Sequence, residues 1–471
     1  MNRLHKLAFS SLAALALAGC GGVGPDYVAP IPAPPAQGAF LSQPAAITAN
    51  AAAEGQWWRL YDDPVLDRLV EEALANNKDV AVAVANIAKA RAALRGVKND
   101  RLPQTSVGFG ANYGRMPEGQ RAPGVDREDT FVDTGLDISY EIDLFGRVSR
   151  NVEAARADVA QAEAERDAVR VAVAAETARA YADLNSATER LGVAERIVTL
   201  IDQTATLTSK RWEAGRGTRL DVARALALRD QQKALIPPLA AERDAARFRL
   251  ATLTGRPPAE LPADANARGT TLRLEKPIPV GDGAALLARR PDVRAAERRL
   301  AAQTARIGVA TADLYPRITL GGSVSSTGNS FGNIFGAGPL GWLVGGLINW
   351  NFPNQEAVRA RIQGAEADTQ GALASFDGTV LRALQETETA LSAYGHALDR
   401  RTALKSARDQ AEIAARIARA QQREGRVDFL VVLDAERTFA ETEAALAEAD
   451  ARIVTAQVDL FRALGGGWQE G

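Results

Sequence analysis

The sequence predicts a mixed fold in which long α-helical hairpins carry four membrane-length β-strands, and three observations predict it. The stretch QTSVGFGANYG (104–114) puts Val107, Phe109, Ala111 and Tyr113 on one face of an extended chain and Ser106, Gly108, Gly110 and Asn112 on the other, the period of two that marks a strand. The segments flanking it are rich in Ala, Glu and Arg and follow a helical pattern. Two passages also repeat at an offset of 210 residues: AETARAYADL (175–184) lies over QETETALSAY (385–394), and EAGRGTRLDVARA (213–225) over EGRVDFLVVLDA (424–435). The alignment pairs Glu176 with Glu386, Thr177 with Thr387, Gly215 with Gly425, Arg216 with Arg426 and Leu220 with Leu430. Two copies are a duplication, not a solenoid.

Residues 1–19 have a basic start, a short apolar core and small residues before Cys20, the pattern of a secretory signal peptide and not of a transmembrane helix. LAGC resembles the lipobox of bacterial lipoproteins. That resemblance makes Cys20 the first mature residue and the lipid attachment site, and several acyl chains exceed the marginal binding of one. Gly21 in place of an Asp favours the outer membrane. Residues 20–56, with many Pro, Gly and Ala, read as a lipidated, extended leader that tethers the body.

The body divides into a first repeat, 57–270, and a second, 271–471. Each is expected to run helix, strand, loop, strand, very long helix, tight turn and returning helix. In the first, strands cover about 104–114 and 131–143, and a helical hairpin about 147–255. In the second, strands cover about 317–325 and 341–352, with Trp342, Val344, Ile348, Trp350 and Phe352 on one face, and the hairpin about 355–464. Pro103 and Pro316 stand just before strands, where a missing N–H costs least. The helix from Phe145 to Trp212 makes a rod of roughly 100 Å. Gly215 can take the left-handed position that ends it, and Thr218 with Asp221 can cap the next helix; Gly425 and Asp428 repeat the arrangement. Pro237 and Pro238 each remove a backbone donor, so the first returning helix should kink or break. Between the last two strands a Gly-rich loop, 325–340, carries Phe331, Ile334 and Phe335 and is open to two readings, an outer lid or a mobile segment.

The strand faces say where the strands go. About 11 residues at about 3.3 Å each, tilted by about 40°, rise roughly 28 Å, the height of an outer-membrane barrel's apolar belt. Asp133, Asp137, Glu141 and Asp143 suit a wet lumen. Four strands cannot close a barrel, and an open edge in lipid leaves backbone groups unpaired at several kcal/mol each. The barrel must therefore be shared between chains. The Ala-rich rods can pack side by side into a tube by the same logic.

Three stretches, WWRLYDDPVLDRLVEEAL (57–74), YEIDLFGRVSRNVEAA (140–155) and LLARRPDVRAAERRLAAQTARIGVATADLYPRITLGG (286–322), resemble the TolC-like outer membrane factors, in the lipoprotein branch of efflux channels that includes NodT and OprM. The resemblance implies a homotrimer, with a 12-stranded barrel in the outer membrane and a helical tube across the periplasm. It also implies docking to a periplasmic adaptor (a membrane fusion protein) and through it to an inner-membrane pump that exports drugs, metals or other small molecules. FPNQEAVRAR (352–361) replaces the family's Gly-Gly-Arg-like turn and leaves the start of the next helix open.

Leu430 and Asp434, four residues apart, share a helix face; by spacing alone this is an ordinary amphipathic surface. The resemblance makes them rings at the periplasmic constriction, where three aspartates would draw cations into a narrow mouth. The hairpin tips, Gly215, Arg216 and Thr218 with Gly425, Arg426 and Asp428, become the adaptor contacts. Arg224 takes the place of Asp434 in the first copy, which suggests an ion pair between the copies.

No catalytic constellation emerges. His396 is the only histidine beyond the signal, no thiol remains once Cys20 is acylated, and no cluster has metal-ligand spacing. No enzyme activity, metal or cofactor is expected, only the lipid on Cys20. His396 is expected to be structural, and Trp57 and Trp58 to pack near the middle of the tube. The formal charge of −2 grows more negative without Arg3 and Lys6, which argues against nucleic acid. The alternative is a periplasmic coiled-coil adaptor or structural lipoprotein, but adaptors carry a lipoyl-like β-domain in place of two membrane-length strand pairs.

Overall fold

The computed structural model describes residues 22–48, 55–120, 126–266, 268–274, 276–335 and 340–467; the signal peptide and Cys20 lie outside them. The chain forms two compact units, and each draws on both sequence repeats.

The first unit holds a four-stranded antiparallel sheet, β1 (Gln104–Arg115), β2 (Glu128–Ile142), β3 (Arg317–Gly328) and β4 (Leu340–Asn349), in that spatial order. The register aligns Val107, Leu136, Val324 and Trp342 in one row, and Ile138, Gly322 and Val344 in the next-but-one. Side chains alternate across a sheet, so these rows build one continuous apolar face, on which Trp342 is 76% exposed. The opposite face carries Ser106, Asp137 and Ser323 in register. Phe131 of β2, opposite Asn112, and two residues of β4, Leu343 opposite Ser323 and Leu347 opposite Thr319, depart from this pattern on the polar side. The outer edges of β1 and β4 have no partner strand among the described residues. In lipid those edges require strands from other chains. No helix among the described residues is long and apolar enough to cross a membrane.

Two strand ends differ from expectation. Asp143 does not line the sheet: its carboxylate accepts from Val148 N and Ser149 N, both at 2.8 Å, and so caps the following helix. Glu141, one turn of strand earlier, holds Arg147 through two hydrogen bonds of 2.8 and 2.6 Å. β4 stops at Asn349 because its partner β3 starts at Arg317, after Pro316. Trp350 and Phe352 therefore leave the strand, with their rings stacked at 4.7 Å and the Trp350 indole donating to Leu314 O at 2.9 Å.

The helices are α1 (Pro64–Asn76), α2 (Lys78–Asn99), α3 (Arg147–Glu213), α4 (Arg219–Lys233), α5 (Ile236–Leu253), α6 (Gly283–Arg289), α7 (Pro291–Ala312), α8 (Glu356–Arg423) and α9 (Phe429–Ala463). The changed sequence after β4 still delivers a helix start at Glu356. The long rods α3 and α8 span 67 and 68 residues. Pro237 and Pro238 sit in the first turn of α5, so the first return is broken where the second, α9, runs unbroken for 35 residues.

The second unit contains the main core. Trp57 is fully buried with its ring stacked 4.6 Å from Phe461, and Trp58 is buried beside it. Asp63 caps α1 through Val65 N and Leu66 N and also accepts from Tyr181 and Arg268. Tyr61 donates to Gln457, whose amide donates to Tyr394, so these three buried polar side chains satisfy one another. Arg289 Nε donates to Leu464 O at 2.7 Å, and Arg290 Nη1 to Ala463 O at 2.9 Å. The paired arginines of LLARRPDV thus serve the free carbonyls at the end of α9. His396 is exposed on α8, near Asp399. Thr177 and Thr387, aligned by the duplication, are both fully buried and both donate to the carbonyl four residues back.

The leader is extended but is not a free tether. Arg150, buried at the start of α3, donates to the carbonyls of Gly22, Val23 and Gly24 and to Asp26 at 2.6 Å, while Val23 N donates to Phe145 O. Further on, Leu41 N and Ser42 N donate to Glu388, and Ile47–Thr48 pair in parallel with Ile278–Pro279.

Candidate gate at the hairpin tips

Both hairpins of the second unit reverse by the same local chemistry. Gly215 and Gly425 have φ of +72° and +74°, a region glycine enters without a Cβ penalty. The next residue closes each turn: Arg216 N donates to Arg211 O at 2.8 Å and Arg426 N to Gln421 O at 2.9 Å. This is the paired-bond ending of a Schellman motif. Thr218 and Asp221 then form a reciprocal capping box for α4, while Asp428 caps α9 alone, accepting from Phe429 N at 2.6 Å. Gly215, Arg216, Thr218, Gly425, Arg426 and Asp428 are all exposed. The Arg219 guanidinium lies 5.7 Å from the Trp212 ring centre, joining the two arms of the first tip by a cation–π contact.

On α9 the buried residues Phe429, Val432, Glu436 and Ala440 follow helical spacing. Phe429 packs with Ala205 of α3 and Ala225 of α4, so this stripe holds the two hairpins together. Leu430 and Asp434 lie off the stripe, Leu430 being 50% exposed and the Asp434 side chain 64%. Their shared face is largely exposed within the chain. The expected ion pair with Arg224 is not the one the chain makes: Asp434 Oδ1 accepts from Arg437 Nη2 at 2.6 Å, because a residue three positions on in the same helix is already within reach.

Sequence reasoning missed Arg437 and Glu436. The first was signalled by opposite charges at i,i+3. The second was signalled by a carboxylate on an apolar stripe. Glu436 is 1% exposed; its Oε1 accepts from Thr204 Oγ1 at 2.8 Å and stands 3.7 Å from Arg419 Nε, while the buried Oε2 has no hydrogen-bond partner. Burial raises its pKa above the usual carboxylate value, against the opposing pull of Thr204 and Arg419.

This architecture, with membrane-length strands whose sheet stays open and paired helical rods, matches known proteins. The family model for outer membrane efflux proteins matches residues 69–256 and 284–466. The chain belongs to that family. Among curated relatives, the pyoverdine export outer membrane protein OpmQ of Pseudomonas putida is 32% identical over 93% of this chain and 94% of its own length. The outer membrane protein OprJ of Pseudomonas aeruginosa is 32% identical over 99% and 98%. The solved structure of the outer-membrane channel OprN superposes with a TM-score of 0.88 at 39% identity, covering 95% of this chain and 100% of that one. The fold is that of the TolC-like channels, in which one chain supplies a four-stranded part of the barrel and closure needs the trimer. The protein is an outer-membrane efflux channel component.

Proposed function

We propose that this efflux protein works as a passive homotrimeric duct of a three-part export system, anchored by lipid on Cys20, met at its hairpin tips by a periplasmic adaptor and driven by an inner-membrane pump. Leu430 and Asp434 form its periplasmic constriction, and its own residues supply no bond chemistry to the small molecules that pass. The observation that carries this reading is the sheet itself: one continuous apolar face, one polar face and two unpaired edges, an arrangement that is stable in lipid only when further strands complete it. Exposed tips that close by the same backbone bonds support a docking role for the hairpin turns.

Chemical cross-linking of the detergent-purified protein tests the assembly. Products should stop at three chains, and single-channel activity should follow that species. A stable monomer that conducts would overturn the shared barrel. Incorporation of labelled fatty acid tests the anchor separately: Cys20→Ser should abolish it, and equal labelling of that variant would remove lipidation while leaving the barrel reading intact.

A further inference from the structure

The described part of the loop after β3, residues 329–335, folds back onto the sheet, and the face it chooses is the apolar one. Phe331 stacks on Phe109 with ring centres 5.7 Å apart and planes 20° from parallel. Ser326 Oγ donates to Ile334 O at 2.7 Å, and Ile334, Ser326 and Val132 are buried together. A Cβ on Gly328 would meet Asn333 and Ile334 at 3.2 and 3.3 Å, so the loop approaches β3 closely there. The register assigns the side: Phe109 pairs with Thr134 and Thr134 with Ser326, while Val132 pairs with Gly328. These residues alternate with Gly110, Asp133 and Thr327, and therefore share the face of Val107, Leu136 and Trp342.

We propose that residues 329–335 form a lipid-contacting rim at the outer end of the barrel, which embeds Phe331 and Phe335 among the acyl chains of the outer leaflet and leaves the mouth of the pore uncovered. The proposal rests on the reading of the sheet as part of a membrane barrel, in which the polar face turns to the lumen and the apolar face to lipid. β2 and β4 lead into the rods α3 and α8, so the β3–β4 connection lies at the opposite, exterior end of the strands. There Phe335 is 87% and Phe331 59% exposed, and Phe331 extends the apolar face through its stack on Phe109. Two bare phenyl rings next to an apolar belt suit acyl chains; in water they would form an exposed patch with nothing to cover it. Phe331, braced by Phe109, fixes the direction of the rim, and the buried Ile334 holds it down.

Site-directed spin labelling of the full chain in phospholipid vesicles tests this. Phe335→Cys is labelled with a nitroxide, with Val344→Cys as a lipid-face control, Ser323→Cys as a polar-face control, and the parent chain, whose only cysteine is Cys20, as background. Collision with oxygen, which concentrates in lipid, is compared with collision with a water-soluble nickel chelate. The label at 335 should match that at 344 and exceed that at 323 severalfold in its oxygen-to-nickel ratio. A ratio at 335 equal to that at 323 would place the loop in water and overturn the rim. Protection from both reagents would show the loop packed against a neighbouring copy, and would overturn it equally. A water-like ratio at 344 would instead bring down the membrane barrel on which the proposal stands.

Discussion

Asp434 and Arg437 form an ion pair on the free face of α9, with Oδ1 and Nη2 at 2.6 Å, and Arg437 also lies 3.9 Å from Glu441. The aspartate at the proposed constriction thus carries its own countercharge. Three such pairs around an axis repel one another less than three bare carboxylates do, which allows the tips to close.

Asp434→Ala should therefore shift selectivity toward anions, since it removes a negative charge and also leaves Arg437 unpaired. Arg437→Ala should shift it toward cations. Because both side chains are more than half exposed, the pair contributes little to folding, under about 1 kcal/mol. Reversal potentials in planar bilayers under a salt gradient read the two shifts. Identical potentials in both variants would put this face on the outside of the duct.

Leu430 is the apolar member of the same face. Truncation to Ala should raise single-channel conductance, because it removes contact across the axis, while half-exposure in the chain limits the stability cost to about 1 kcal/mol or less. Glu412→Ala, on α8, serves as the control and should leave conductance unchanged. A Leu430→Ala channel indistinguishable from this control would assign Leu430 to an ordinary surface.

Glu436 ties the tip to pH. Its folded-state pKa is raised, chiefly by burial, so the folded form prefers the proton. Its stabilising influence is complete below the unfolded carboxylate pKa and is lost as pH rises through the raised value. Once ionised, the buried, partly unpartnered carboxylate destabilises the junction of α3, α8 and α9. Glu436→Gln keeps an acceptor for Thr204 and should stabilise above the raised pKa by on the order of 1 kcal/mol, an advantage that shrinks as pH falls through that value. Thermal melts across that range decide it; an advantage that does not change with pH would show that ionisation is not the cause.

The elements that local chemistry dictates were legible in the sequence. Alternation located all four strands, Gly215 and Gly425 located both reversals, and Pro237 with Pro238 located the broken return. What escaped depends on partners distant in the chain. Asp143 reads as a strand residue until the N–H groups of Val148 and Ser149 claim it. Trp350 and Phe352 keep the strand's alternation but lose its partner, since β3 begins at Arg317. The role of Arg289 and Arg290 is set by the end of a helix some 170 positions on, and Glu436 is a buried carboxylate only because Thr204 and Arg419 pack against it.

Arg150 is the last of these long-range residues, and its removal tests how the leader is held. Its side chain is only 9% exposed, and it donates to the carbonyls of Gly22, Val23 and Gly24 at 3.5, 3.3 and 3.4 Å as well as to Asp26 and Glu153. A planar guanidinium can serve several acceptors at once; an ammonium cannot reproduce that spread. Arg150→Ala should release residues 22–26 while the strand ladders and rods persist, with a local cost of about 2 kcal/mol, as for the loss of charge-assisted hydrogen bonds. Arg150→Lys should fall between it and the parent. Val23 N, which donates to Phe145 O at 3.1 Å, is the reporter: its hydrogen exchange should accelerate in Arg150→Ala, by more than tenfold for a cost of that size. Exchange at Val23 that matches the parent would mean that the Val23–Phe145 bond and the Tyr27–Glu297 contact hold the leader without Arg150. Acceleration there without faster exchange in β1–β4 would show that the docked leader opens as a unit of its own, two residues after Cys20, the proposed anchor.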